Sequence, residues 1–193
     1  MTDFGNPTRR GLLTAPLFLT LAAGSASATV AQQGKKPLVA VFSRSGNTRV
    51  VARQVRRALG ADLFEIEPEQ PYPDDYFETV AQAQSERDQG YKPPLRATVD
   101  NVASYATIFL GFPIWGMTAP PVIRSFLSAH DLSGKTIVPL ITHGGYGLGD
   151  SLSVLATHAP TVNLVEGFSM QAPQERQTIE RVTDWLDRLG APK

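Results

Sequence analysis

Apolar residues in this chain alternate between short unbroken runs and stretches spaced at three and four. The runs Leu38-Val39-Ala40-Val41-Phe42, Thr107-Ile108-Phe109-Leu110-Gly111 and Thr136 to Thr142 are what strands buried on both faces require. Leu63 to Ile66 reads as a shorter strand, and Asn163 to Phe168 as the last one. Between the runs, the spacing predicts a helix from Thr48 to Leu59, with Val51, Val55, Ala58 and Leu59 on one stripe. Arg49, Arg53, Arg56 and Arg57 lie mostly off that stripe, and Gly60 ends the helix. A helix from Pro121 to Ala129 opens on proline, where proline is tolerated. Asp150 to His158 is a short helix. Glu175 to Leu189 carries Ile179, Val182, Trp185, Leu186 and Leu189 at helical spacing, so Trp185 belongs to the core.

Residues 67–106 are less regular. Pro68, Pro71 and Pro73 open a turn, Asp75 to Gln89 reads as a polar helix, and Lys92-Pro93-Pro94 returns the chain in extended form. The stretch serves either as an interface or as a cover over a sheet edge. Strands and helices alternating at these lengths predict an α/β fold, a three-layer, doubly wound, five-stranded parallel sheet with right-handed crossovers. In the order 2-1-3-4-5 the strand order reverses between the first and third strands. Ligands bind there, beyond the carboxyl ends of the strands.

The N-terminus has a different character. Arg9-Arg10 precedes an apolar run from Leu12 to Ala23 and the small-x-small sequence Ala26-Ser27-Ala28. This is the layout of an export signal over residues 1–28, and the run is well short of the roughly 20 apolar residues that span a bilayer. Thr8-Arg9-Arg10-Gly11-Leu12-Leu13 resembles a twin-arginine motif, which implies export of an already folded protein to the periplasm and no stable membrane anchor after cleavage. Residues 29–36 read as a spacer, and the folded domain as residues 37–193.

Composition narrows the chemistry. The chain has 193 residues, one domain's worth, and 18 basic residues against 18 acidic ones. Without Arg9, Arg10 and Asp3 of the leader the counts are 16 and 17, so no basic field for nucleic acid exists. The absence of cysteine excludes disulfides, thiolate metal sites, a cysteine nucleophile and a lipid-modified cysteine. His130, His143 and His158 lack metal-ligand spacing, and no metal site is expected.

Three loops follow the three buried strands at the reversal point. The first, Ser43-Arg44-Ser45-Gly46-Asn47-Thr48, puts hydroxyls, a glycine and an asparagine at a helix N-terminus. Converging amides and the helix dipole make that an anion site, although the lysine of a triphosphatase loop and the glycines of a dinucleotide fingerprint are missing. In the second, Pro113-Ile114-Trp115-Gly116, the indole of Trp115 either stacks on a flat ligand or folds back onto the core. The third, Thr142-His143-Gly144-Gly145-Tyr146-Gly147, exposes backbone amides through its glycines.

The first loop resembles the phosphate loop of the flavodoxin family, Ser/Thr-x-Ser/Thr-Gly-Asn-Thr. Gly111-Phe112-Pro113-Ile114-Trp115-Gly116 and Thr142-His143-Gly144-Gly145 are similar to loops of one subgroup. So are the tracts Pro71-Tyr72-Pro73-Asp74-Asp75-Tyr76 and Asp131-Leu132-Ser133-Gly134-Lys135-Thr136. The resemblance covers residues 37–189 and implies a flavodoxin-like sheet order. It also implies FMN as cofactor, with its phosphate on Ser43 to Thr48, its ring near Pro113 to Gly116 and its pyrimidine edge on Thr142 to Gly147. Tyr146 either covers the second ring face or sits at the surface, and His143 bonds either flavin or its own loop. Arg44, more cationic than the family needs, pairs with the phosphate or faces water. The subgroup often carries a second aromatic after the tryptophan; Gly116 and Met117 stand there instead and open one side of the ring.

The implied function is electron transfer outside the cytoplasm, with a redox partner protein or a small-molecule acceptor and no catalytic residue of the protein's own. An FMN-dependent NAD(P)H or quinone reductase, or an exported module without flavin, are the alternatives. Near-neutral charge leads to the expectation of a less negative second reduction potential than in an acidic shuttle.

Overall fold

The computed structural model describes residues 36–172 and 175–190. The export signal expected over residues 1–28, and nearly all of the 29–36 spacer, lie outside them.

The strands are β1 (Leu38–Val41), β2 (Asp62–Glu65), β3 (Thr107–Pro113), β4 (Thr136–His143), β5 (Asn163–Leu164) and β6 (Phe168–Gln171). All pairings are parallel, and the order is β2-β1-β3-β4-β5, with β6 also paired to β4. Because β5 and β6 share the edge beside β4, the sheet has the expected 2-1-3-4-5 arrangement. Helices α1 (Asn47–Leu59), α2 (Tyr76–Asp88), α3 (Pro121–Ala129), α4 (Ser151–His158) and α5 (Glu175–Arg188) complete the layers.

The continuous apolar strands exist because each strand feeds two cores. Leu38, Ala40, Ile108, Leu110 and Ile137 face the side of α3 and α4, packing with Val122, Ile123, Phe126 and Leu155. Val39, Val41, Phe109, Val138 and Leu140 face α1 and α5, with Val51, Ala52, Val55, Val182, Trp185 and Leu186. Trp185 is buried against Phe109 and Phe168, as its helical position predicts.

Four expectations need correction. The last strand is split between β5 and β6. Thr136 pairs with Asn163 but Leu140 with Phe168, so one extra residue is absorbed between them. The break falls opposite Pro139, which has no N–H to donate, and Gly167 crosses there so closely that a β-carbon would lie 2.0 Å from the Pro139 carbonyl oxygen. Ala58 and Ile179 are exposed, because the buried stripes run through Thr48, Val51, Ala52 and Val55 on α1 and through Thr178, Val182, Trp185 and Leu186 on α5. Strands β3 and β4 run further than their apolar runs, so Pro113, Thr142 and His143 are the last strand residues leading into the second and third loops.

Residues 67–106 place Leu95, Val99, Val102 and Tyr105 against the core on the α3 and α4 side. Asp75 caps α2 by accepting from the Phe77 and Glu78 amides at 2.8 and 2.9 Å. The extended return is pinned by an antiparallel bridge between Pro68 and Leu95, by the Arg96–Glu67 ion pair at 2.8 Å, and by His130. His130 Nε2 accepts from the Val99 amide at 2.8 Å while its Nδ1 lies 2.8 Å from the Phe126 carbonyl, so the ring ties the return to α3.

Candidate functional site

The three loops leave β1, β3 and β4 at one end of the sheet, where strand order reverses. In the first loop, Phe42 donates its amide to the Gly111 carbonyl (2.9 Å), and the chain then turns into α1 through Gly46. Gly46 has φ 91° and no neighbour within 4 Å of a β-carbon, so the left-handed backbone, not crowding, calls for glycine. No side chain caps α1, which leaves its first-turn amides open at the positive end of the helix dipole. The Ser43 and Ser45 hydroxyls and the Asn47 carboxamide have no partner among the described residues.

The side chains of the neighbouring cations are already partnered, Arg49 Nη2 also donating to the Ser43 carbonyl at 3.4 Å. Arg44 donates to the Asp74 carbonyl at 2.9 Å, and Arg49 Nε lies 3.0 Å from both Glu65 carboxylate oxygens. Thr48 turns inward instead of toward the crevice. Its buried hydroxyl bonds that of Thr142 at 2.8 Å, tying the first loop to the third. Gly111 makes this approach possible, since a β-carbon there would sit 2.9 Å from Val41 Cγ2 and 3.4 Å from Thr48 Cγ2.

In the second loop the Ile114 amide donates to the Thr142 carbonyl at 2.8 Å. Trp115 and Thr118 exchange backbone bonds of 2.9 and 3.3 Å across a tight turn whose inner residues, Gly116 and Met117, have φ 57° and 66°. Met117 pays steric strain for that conformation and is exposed. Trp115 is half-buried. Its indole meets Tyr72 edge-on at 4.8 Å and Phe42 at 5.3 Å, so it borders the core without entering it.

In the third loop His143 Nδ1 accepts from the Gly145 amide at 3.2 Å, a bond within its own loop. Gly145, Gly147 and Gly149 all have positive φ. At Gly149 a β-carbon would lie 1.7 Å from the Met117 carbonyl oxygen, the group that accepts from the Asp150 amide at 3.0 Å. Tyr146 is 83% exposed. Thr48–Thr142, Ile114–Thr142 and Asp150–Met117 therefore join all three loops at the end of the sheet where the reversal of strand order opens a crevice in folds of this kind.

The crevice offers uncapped amides and free hydroxyls on one wall, a half-buried indole on the second and exposed glycine backbone on the third. Asp150 is the sole acid within the three loops. Such a set suits an anion joined to a flat ring. Among the described residues no cluster of His, Asp and Glu could hold a metal.

Three contributors escaped the sequence reading. Tyr72 is buried and donates to Glu86 Oε2 at 2.7 Å, and burial together with that bond pushes its phenol well above the ordinary range. Arg87 lies over Gly116, where a β-carbon would meet its Nη2 at 2.7 Å. The tract Pro71 to Tyr76 was the available signal, but it carries no chemistry until Trp115 is seen beside it.

The flavodoxin family profile matches residues 36–189. A candidate flavoprotein from Bacteroides eggerthii DSM 20697 is 33% identical, with 82% of this chain and all of that one covered and a TM-score of 0.70. A second, from Bacteroides uniformis ATCC 8492, is 29% identical over 78% of this chain and 99% of that one, at a TM-score of 0.69. A flavoprotein from Lactobacillus acidophilus NCFM, solved in complex with FMN, shares the fold at 20% identity over 76% of this chain and 99% of that one, with a TM-score of 0.62. No curated protein matches the chain. A match over this much of the chain makes the protein a member of the flavodoxin family.

Proposed function

We propose that this protein binds FMN noncovalently at the three-loop crevice and transfers electrons outside the cytoplasm, to a redox partner protein or a small-molecule acceptor. The observation that carries the reading is the uncapped start of α1 beside the unpartnered Ser43 and Ser45 hydroxyls. Open amides at a helix N-terminus are preorganised for a phosphate dianion. The FMN-bound Lactobacillus relative of the same fold lends support.

In this reading Ser43, Arg44, Ser45, Gly46, Asn47 and Thr48 hold the phosphate, Arg44 and Thr48 through their amides, because the Arg44 guanidinium is on the Asp74 carbonyl and the Thr48 hydroxyl on Thr142. Pro113, Ile114, Trp115 and Gly116 border the ring, and Thr142, His143, Gly144, Gly145, Tyr146 and Gly147 offer main-chain contacts to its polar edge. Bound FMN supplies the redox chemistry, and the protein supplies binding, orientation and field. The bonds from Thr142 to Thr48 and Ile114 keep the walls at fixed separation. Export rests on the Arg9-Arg10 leader.

An absorption spectrum of purified mature protein, before and after FMN addition, tests the reading. Flavin bands that persist through gel filtration are the expected result, and a folded protein that stays colourless means an exported module without flavin. A reductase acting on NAD(P)H or quinone is the second reading, favoured by exposed Met117 standing where an aromatic would close the crevice. Steady-state turnover of NAD(P)H with a quinone by the pure protein separates it from a carrier.

A further inference from the structure

The tract Pro71 to Tyr76 has no place in the site as described, yet it touches two walls of it. Asp74 offers its carbonyl to Arg44 of the first loop at 2.9 Å, and Tyr72 packs edge-on against Trp115 of the second at 4.8 Å and 89°. The same ring meets Phe42, at the end of β1, at 5.9 Å. Tyr72 is 7% exposed and its hydroxyl is spent on Glu86, a carboxylate only 8% exposed that also accepts from Gln82 Nε2 at 2.8 Å. Among the described residues no cation pairs with Glu86. A carboxylate buried without a cation is costly, and the feature its position accounts for is a tyrosine held in one rotamer.

We propose that Tyr72 and Glu86 are positioning residues that fix the indole of Trp115 at the mouth of the crevice, and that the orientation so imposed sets flavin affinity. The second half of this rests on the FMN reading above; the first half does not. A half-buried indole on a strained turn has few contacts to hold it, and the edge-on Tyr72 ring supplies one of them. Glu86 stands one turn beyond Gln82 on α2, so the helix carries both the acceptor and the amide that orients it. Arg87, next along α2, lies against Gly116 and closes the same turn from outside. The polar helix thus acts as a brace behind the tryptophan loop.

The test uses the Trp185→Phe background, in which Trp115 is the remaining tryptophan. Tyr72→Ala, Tyr72→Phe, Glu86→Leu and Glu86→Gln are compared for Trp115 emission in the apoprotein, then for FMN affinity. Tyr72→Ala and Glu86→Leu are expected to shift Trp115 emission to the red and raise its mobility. They should weaken FMN binding roughly two- to tenfold, the worth of one aromatic contact. Glu86→Gln keeps an acceptor for the phenol and should restore most of both signals, which a purely structural role would not require. Tyr72→Phe keeps the ring and serves as the variant that folds if Tyr72→Ala does not; its expected effect is a smaller shift in the same direction. Unchanged Trp115 emission in folded Glu86→Leu and Tyr72→Phe overturns the positioning claim. If the parent protein takes up no FMN, the functional reading fails while the emission measurements still decide the positioning claim.

Discussion

At the scale of single residues, the proposed phosphate seat depends on Ser45 and Gly46. A hydroxyl donating to a phosphate dianion makes a charge-assisted bond worth about 1.5–3 kcal/mol. Ser45→Ala is therefore expected to weaken FMN binding by roughly tenfold or more while leaving riboflavin affinity unchanged, because riboflavin lacks the phosphate. Parallel titrations with both ligands check this, and equal losses for the two would remove Ser45 from phosphate binding. The candidate phosphate loop was legible beforehand, as a proposal. The Ser-Arg-Ser-Gly-Asn-Thr tract reads as an anion loop on residue types alone, and the uncapped α1 agrees with it. The direction of Thr48 was not legible, because its use depends on Thr142, 94 positions away. Tyr72 and Glu86 were hidden for the same reason, since neither is unusual until the fold brings it to Trp115.

Element by element, the apolar runs located the strands well because each is buried on both faces. The split of the last strand was missed because a bulge depends on its neighbour. Pro139 and Gly167 meet only once β4 and the edge strand are paired. Gly167→Ala should then destabilise the fold by about 1–3 kcal/mol, read from the urea midpoint, since the added carbon collides with backbone. A midpoint unchanged by this substitution would show that the edge relaxes freely. His158 at the end of α4 offers a separate check. Burial, then the nearby charges of Arg124 and Lys92, hold its imidazole below the ordinary 6.5. Between the lowered value and 6.5 the folded state thus binds fewer protons than the unfolded one. Stability from this residue is complete above pH 6.5 and is lost as pH falls through the lowered value. His158→Gln should flatten that part of the stability profile, and a profile identical to the parent's would contradict the assignment.

Over the whole molecule, charge is balanced, and Asp150 is the one acid in the three loops. In the proposed site a reduced, anionic flavin would meet less negative charge than in an acidic carrier. The second reduction step is expected at a less negative potential than in acidic flavodoxins, and potentiometric titration of the bound cofactor measures it directly. A strongly negative second step would mean that Glu86 or the tract around Asp74 and Asp75 dominates the field. Near-neutrality also weakens long-range steering, so association with a redox partner should depend only slightly on salt.

All of these consequences depend on a phosphate seated where β1 turns into α1. Calorimetric titration of folded apoprotein with FMN, and separately with riboflavin, measures that seat. The account predicts saturable heat with FMN and clearly weaker binding of riboflavin. Equal affinities for the two would take the phosphate out of the first loop, and no heat with FMN would contradict the account outright.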